Sequence, residues 1–262
     1  MGRHEYRWFD ANQWTDAVSS HGKQSTDPVN APPTMVQGTT PAEKVQQQVT
    51  KQAGVTGGAP QGGGTLFTEP ILVVNQKARI VEINNEYAIH DQNGTQIGAV
   101  RQVGQSTAKK VLRVLSNVDQ YMTHKLQVVD RDGSVALQLT RPAKFVKSKI
   151  IVQNGQGVEL GTIVQQNAIG KIRFGLMAPQ GQVGQIQAEN WRAWNFRIAD
   201  AADNEVARIT KTWEGLAKTL FTTADNYVVQ IHAPIEDPLR SLVVAAAVSV
   251  DLALKQDSRG FN

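Results

Sequence analysis

Between Asp237 and Gln256 the chain carries an apolar tract that no half-exposed helix can accommodate. Asp237-Pro238 opens it, Leu242 to Val250 forms its centre, and Asp251 and Lys255 lie near its close. Asp237 can accept hydrogen bonds from the free amides of a first turn. Pro238 suits the first helical position, where its missing N–H has no partner to lose. The spacing predicts a helix over 238–256. Val243, Val244, Ala245, Ala246, Ala247 and Val248 leave that helix without a polar face, so it must be wrapped by protein or by lipid. A bilayer span needs about 20 mostly apolar residues, whereas Arg240 and Asp251 bracket a shorter uncharged run. The helix is therefore expected to thread a protein shell, with a lipid-inserted anchor as the competing reading.

The shell is expected from the residues upstream. Tyr87 and Ile89 alternate up to Asn93-Gly94, and Ile97 and Ala99 resume beyond it. Leu126 and Val128 lead to Asp132-Gly133 and then to Val135, Leu137 and Leu139. Ile150 and Val152 precede Asn154-Gly155, followed by Val158 and Leu160. Ile172, Phe174 and Leu176 precede Gln180-Gly181, followed by Val183. Trp194, Phe196 and Ile198 precede Asp203-Asn204, followed by Val206 and Ile209. Each unit has period-two apolar residues around a turn whose Gly or Asn tolerates positive φ, the pattern of a hairpin. Hairpins in series predict a mainly β meander, and closing it removes the exposed edges. A closed antiparallel barrel needs its interior filled. The apolar helix needs a wall, and Ala245–Ala247 would let it fit a narrow bore. In the longest gap between turns, Ser106 or Thr107 can cap a helix carrying Val111, Leu112, Val114, Leu115 and Val118 on one face.

Upstream of the barrel, 19–64 is rich in Gln, Gly, Pro, Thr and Ser and reads as a disordered linker. A helix around Pro41–Lys51 would be marginal in isolation. The barrel is expected over 65–262. The sequence has 262 residues, 22 Gly, no Cys and a formal charge of +4. Without Cys there are no disulfides, thiolate metal sites, cysteine nucleophiles or S-acylation, which fits a reducing cytosol. Met1 to Phe9 has no apolar core of a secretory signal.

The excess positive charge is local. Residues 101–149 hold ten Lys and Arg against Asp119, Asp130 and Asp132. An anionic partner is the functional reading and a solvated basic face the structural one. Arg141, Lys144, Lys147 and Lys149 form the densest run, with Lys109, Lys110 and Arg113 on the predicted helix. They could hold lipid phosphates at about 1 kcal/mol per charge, or protect a strand edge. Nucleic acid is disfavoured, because Phe145 alone interleaves the run as a stacking aromatic. Trp191, Trp194 and Trp213 suit core packing better than a lipid interface. For Asp251 the simplest partner is Lys255, one turn on.

Val74-Asn75-Gln76-Lys77, Asn85-Glu86-Tyr87 and Ile97-Gly98-Ala99-Val100-Arg101-Gln102 resemble the phospholipid scramblase family. The likeness continues through Ile209-Thr210-Lys211-Thr212-Trp213-Glu214-Gly215 and Phe221-Thr222-Thr223-Ala224-Asp225-Asn226-Tyr227, and covers roughly 66–256. It implies a Tubby-like, about twelve-stranded barrel around a hydrophobic C-terminal helix. It also implies engagement of anionic phospholipid, or its movement between leaflets, at the cytoplasmic face of the plasma membrane. A soluble scaffold that binds protein partners is the alternative. The family's cysteine cluster after an Arg-Pro pair is absent: Arg141-Pro142 leads into Ala143-Lys144-Phe145-Val146. Its calcium segment resembles Thr223–Asp237, where Asp225, Asn226 and Asp237 are the candidate ligands. Calcium takes about six to eight oxygens, so these would supply only part of a site.

The N-terminal residues 1–18, with Arg7-Trp8-Phe9-Asp10 and Gln13-Trp14-Thr15-Asp16, resemble part of a tryptophan-rich domain of unknown function found in bacterial proteins. As a remnant it is expected to be unfolded; folded, exposed Trp8 and Trp14 would suit a proline-rich peptide of a protein partner. Enzymatic readings fare poorly. His4, His21, His90, His124 and His232 lack metal-ligand spacing, and no Gly-x-Ser-x-Gly elbow occurs.

Overall fold

A computed structural model describes residues 6–10, 14–20, 22–26, 41–55, 62–76, 85–103, 123–143, 147–167, 170–190, 195–212 and 226–258. A small antiparallel sheet comes first, from β1 (Tyr6–Phe9), β2 (Trp14–Ser20) and β3 (Lys23–Thr26). A short helix α1 (Ala42–Gln47) follows, extended by a π-helical turn over Gln48–Gln52.

Twelve antiparallel strands then close a barrel. In chain order they are β4 (Ile71–Gln76), β5 (Asn85–His90), β6 (Gln96–Val103), β7 (His124–Asp130), β8 (Val135–Arg141) and β9 (Lys149–Asn154). The second half has β10 (Glu159–Gln165), β11 (Arg173–Ala178), β12 (Gly181–Ala188), β13 (Asn195–Asp200), β14 (Glu205–Thr212) and β15 (Asn226–Ile231). Each strand pairs with its sequence neighbours, and β15 pairs with β4, Tyr227 opposite Val74, to complete the ring.

The helix α2 (Leu239–Ser258) runs through the bore. Ser241 to Asp251 are all buried, on every side of three helical turns. All twelve strands contribute to the core around it. Val74 and Tyr87, Leu137 and Leu139, and Phe196 and Ile198 illustrate the alternation that turns every second side chain inward. The wall approaches closely in places. A Cβ on Gly184 would stand 3.2 Å from Leu239 Cδ1 and 2.5 Å from the Ala199 carbonyl, so the glycine is what lets the helix enter beside β12.

The helix begins one residue later than the sequence predicts. Leu242 N–H donates to the Pro238 carbonyl at 3.1 Å, so Pro238 caps the helix and does not occupy its first turn. Asp237 keeps its expected role, with its Oδ1 accepting from the Ser241 amide at 3.0 Å.

Four hairpins share one turn chemistry. Asp91, Asp130, Asn154 and Asp200 each accept, through the main-chain carbonyl, the amide three residues on: Gly94, Gly133, Gly157 and Asp203. Those four residues take positive φ, at 86°, 83°, 85° and 65°. Asp91, Asn154 and Asp200 also use a side-chain oxygen to bind the amide four residues on. The Asn154-Gly155 turn is thus displaced from the expected position. Gly157 supplies the left-handed residue, while Gly155 is needed because a Cβ there would meet the Val135 carbonyl at 2.1 Å.

Within the stretch expected as a disordered linker, Ser19 and Ser20 pair with Gln24 and Lys23 of β3, and 41–55 is folded onto the barrel. Val45 and Val49, one helical turn apart, cover Ile71, Val73 and Val228 on the outer face of β4 and β15. Gln48 and Asn75 exchange amide hydrogen bonds at 3.1 and 3.3 Å beneath them. The wall supplies the apolar surface that a free helix of this length lacks. The helix expected after Ser106 lies outside the described residues, as do Trp191, Trp194 and Trp213.

Candidate functional site

An up-and-down meander sorts its connections to two ends. At one end lie the short turns around 91–95, 131–134, 155–158, 179–180 and 201–204, together with 62–70 and the approach to α2 at 232–238. At the other end the strands are joined by 77–84, 104–123, 142–148, 166–172, 189–194 and 213–225. The C-terminal part of α2 points to this second end.

Among the described residues charge leans the same way, although exposed Glu189, bound by Arg208, stands at the loop end. Asp91, Asp130, Asp132, Glu159, Asp200, Asp203, Glu236 and Asp237 gather at the turn end, with Arg131 and Arg240 among them. Hydrogen bonds hold several of these carboxyls below their ordinary range. The Ser134 amide does this for Asp132, Asn204 for Asp200, and the Arg197 guanidinium for Asp203. These three carboxyls therefore keep their charge to lower pH than free carboxyls do. At the loop end, Lys125, Lys147, Lys149, Lys171 and Arg173 are exposed.

The expected lipid-binding residues fare differently. Lys147 and Lys149 are exposed at the loop end, and Lys147 Nζ donates to the Gln166 carbonyl at 2.7 Å, tying the β8–β9 connection to the one after β10. Lys144, Lys109, Lys110 and Arg113 lie outside the described residues. Arg141 departs from the expectation. It is 3% exposed, and its Nη1 donates to the Leu252 carbonyl of α2 at 3.4 Å. Strand alternation turns it inward with Leu137 and Leu139, so it braces the helix and is withdrawn from the surface.

Two of the expected calcium ligands, Asn226 and Asp237, are held at opposite ends of β15. Asn226 opens β15 and is fully buried, its Oδ1 accepting from the Gln76 amide at 3.1 Å. Asp237 follows the far end of the same strand, where it caps α2. The length of β15, about 17 Å at roughly 3.3 Å per residue, separates them, and Asp225 lies outside the described residues. Among the described residues no cluster of three or more metal-ligating side chains occurs.

Among the described residues the bore holds a polar cluster around Asp251 that sequence spacing did not reveal. Asp251, fully buried near the loop end, accepts hydrogen bonds from the Tyr87 hydroxyl and, at 2.9 Å, from the Tyr227 hydroxyl. The side chain of Lys255, its expected partner, lies outside the described part. A carboxyl in an apolar bore requires donors. The signal was present in the strands: Tyr87 and Tyr227 are in phase with inward Ile89 and Val229.

A closed antiparallel barrel filled by an axial helix defines the class. The sequence matches the family model described as Scramblase over residues 50–254, and the chain belongs to that family. It is similar to the altered inheritance rate of mitochondria protein 25 of Saccharomyces cerevisiae, with 25% identity over 203 residues, 64% of this chain and 60% of the relative. It is also similar to a phospholipid scramblase family protein of Schizosaccharomyces pombe, with 23% identity over 208 residues, 71% of this chain and 53% of the relative. The chain therefore spans less than two thirds of either relative. An Arabidopsis thaliana protein of known X-ray structure aligns over 74% of this chain and 99% of its own, with 14% identity and a TM-score of 0.44. Among the described residues no helix is long and apolar enough to cross a membrane.

Proposed function

We propose that this protein is a scramblase-like phospholipid-engaging barrel that docks its loop end on the anionic leaflet at the cytoplasmic face of the plasma membrane. The observation that carries the reading is the separation of charge along the barrel axis. Exposed Lys125, Lys147, Lys149, Lys171 and Arg173 lie at one end and the hydrogen-bonded carboxylates at the other. A leaflet rich in anionic lipid attracts the first end and repels the second, so the field orients the barrel before contact. Movement of lipid between leaflets is part of the proposal, and family membership supports it.

Sedimentation with vesicles of phosphatidylcholine and phosphatidylserine tests the docking. Binding is expected at low salt and should weaken as salt is raised. Lys147→Gln with Lys149→Gln should reduce affinity about 30-fold, at ~1 kcal/mol per charge. No sedimentation at low salt, or an unchanged double variant, would remove the docking proposal. Dithionite quenching of labelled lipid in reconstituted vesicles reads transport separately.

A further inference from the structure

The outer wall of the barrel carries an in-register row of side chains. Arg173 on β11 pairs with Gln187 on β12, Gln187 with Arg197 on β13, and Arg197 with Arg208 on β14. All four project outward, because Phe174, Ile186, Phe196 and Ala207 beside them are part of the core. Arg173, Gln187 and Arg197, with Lys171, Ala188 and Glu189, line a cleft of about 320 Å³. That is near the lower limit of small-ligand sites.

The loop bearing the first two cations is braced. Asn167 Oδ1 accepts from the Arg173 amide at 2.8 Å, its Nδ2 donates to the Lys171 carbonyl at 2.8 Å, and Gln166 N–H donates to the Arg173 carbonyl at 2.8 Å. Glycine at 170, with φ of 93°, permits the bend.

The charges around the cleft are unequally matched. Glu189, the acid in the lining, is bound by Arg208 at 2.6 Å, which raises the Arg208 pKa. Arg197 is bound by Asp203 at 2.7 Å and approached by Glu205 at 3.6 Å. Among the described residues Lys171 and Arg173 have no carboxylate partner. Two uncompensated cations and an amide thus converge on one small volume, beside an Arg197 guanidinium already occupied by Asp203 and Glu205.

We propose that this cleft binds a dianionic phosphate monoester. Arg173 would take two phosphate oxygens through its planar fork, Lys171 would supply the second positive charge, and Gln187 would donate from the floor. A phosphodiester headgroup carries a single phosphate charge and leaves one cation unmatched, so the site should favour monoesters. The proposal rests on and deepens the reading of the protein as a phospholipid-engaging barrel, and it assigns to Lys171 and Arg173, at the same loop end, a task distinct from that of Lys147 and Lys149.

The test is calorimetric titration of the full chain with glycerol 3-phosphate, alongside sedimentation with phosphatidylcholine vesicles containing either phosphatidic acid or phosphatidylserine. Preference for phosphatidic acid over phosphatidylserine is expected. Lys171→Gln with Arg173→Gln should reduce phosphate-monoester binding at least about tenfold, the loss of charge-assisted hydrogen bonds. Both residues are exposed, so the variant should retain its circular dichroism and melting temperature. Lys147→Gln with Lys149→Gln should weaken phosphatidylserine vesicles while leaving glycerol 3-phosphate unchanged, which separates failure of this site from failure of membrane docking. Binding of glycerol 3-phosphate alone identifies a soluble ligand, and binding of phosphatidic acid alone identifies a lipid headgroup. Binding of neither, or equal binding by the Lys171/Arg173 variant, overturns the proposal.

Discussion

The two ends of the barrel solve the same problem, that of ending strands in water, by different means. At the turn end four of the reversals are built alike and locally. An Asp or Asn accepts the amides of the next few residues, and a left-handed residue completes the bend. At the loop end the strands are tied across long sequence separations. Asp251 on the helix is held by Tyr87, 164 residues away, and by Tyr227, while Arg141 reaches the Leu252 carbonyl. Redundant local units make the turn end tolerant of single lesions. The loop end concentrates its order in a few buried polar contacts, so single lesions there should be severe.

The largest effect should come from Tyr87→Phe combined with Tyr227→Phe. Removing both hydroxyls takes two donors from a buried carboxyl, and urea unfolding should show a loss of about 3–5 kcal/mol. A loss under 1 kcal/mol would break the contrast. At the turn end, Gly94→Ala should cost about 2–3 kcal/mol, because a Cβ there is strained by its φ and also meets Ala42 Cα at 2.6 Å. Gly157→Ala carries the backbone strain with open space around it, so about 1 kcal/mol is expected. Equal effects at the two glycines would show that α1 does not rest on the 91–95 turn. Removing the helix cap with Asp237→Ala should also cost about 1 kcal/mol.

The smallest effect is a pH slope at the turn end. Burial pushes the His90 imidazole below its ordinary 6.5, against weaker opposition from the Val73 carbonyl and the Asp91 carboxylate. In that window the unfolded chain binds the proton and the folded chain does not. This contribution to stability is therefore complete above pH 6.5 and is lost as pH falls toward the lower folded value. Melting temperature against pH should show the slope, and His90→Gln should flatten it.

Much of this architecture was legible in the residues. The helix could be placed because nothing on its surface tolerates water. The hairpins could be placed because alternation and turn residues coincide in each. The turn register was missed at Asn154, since Gly155 and Gly157 both satisfy a search for a flexible residue. Counting three positions from Asp91, Asp130, Asn154 and Asp200 would have selected Gly94, Gly133, Gly157 and Asp203. Arg141 was misread because charge density along the chain ignores which face of a strand a residue occupies. Asp251 with its two tyrosines, and the row from Arg173 to Arg208, depend on strand pairing across the sheet, which local spacing does not encode. The fold of 41–55 depends on the wall it covers.

The seam between β4 and β15 joins segments some 150 residues apart, and α2 follows that seam in sequence. A ring that shuts before its filling arrives would trap an empty centre. On the ribosome, the early ribbons must therefore wait, open-edged and sticky, until Leu239 and its successors have emerged. The period of greatest exposure to chaperones and to self-association is thus written into the order of the elements.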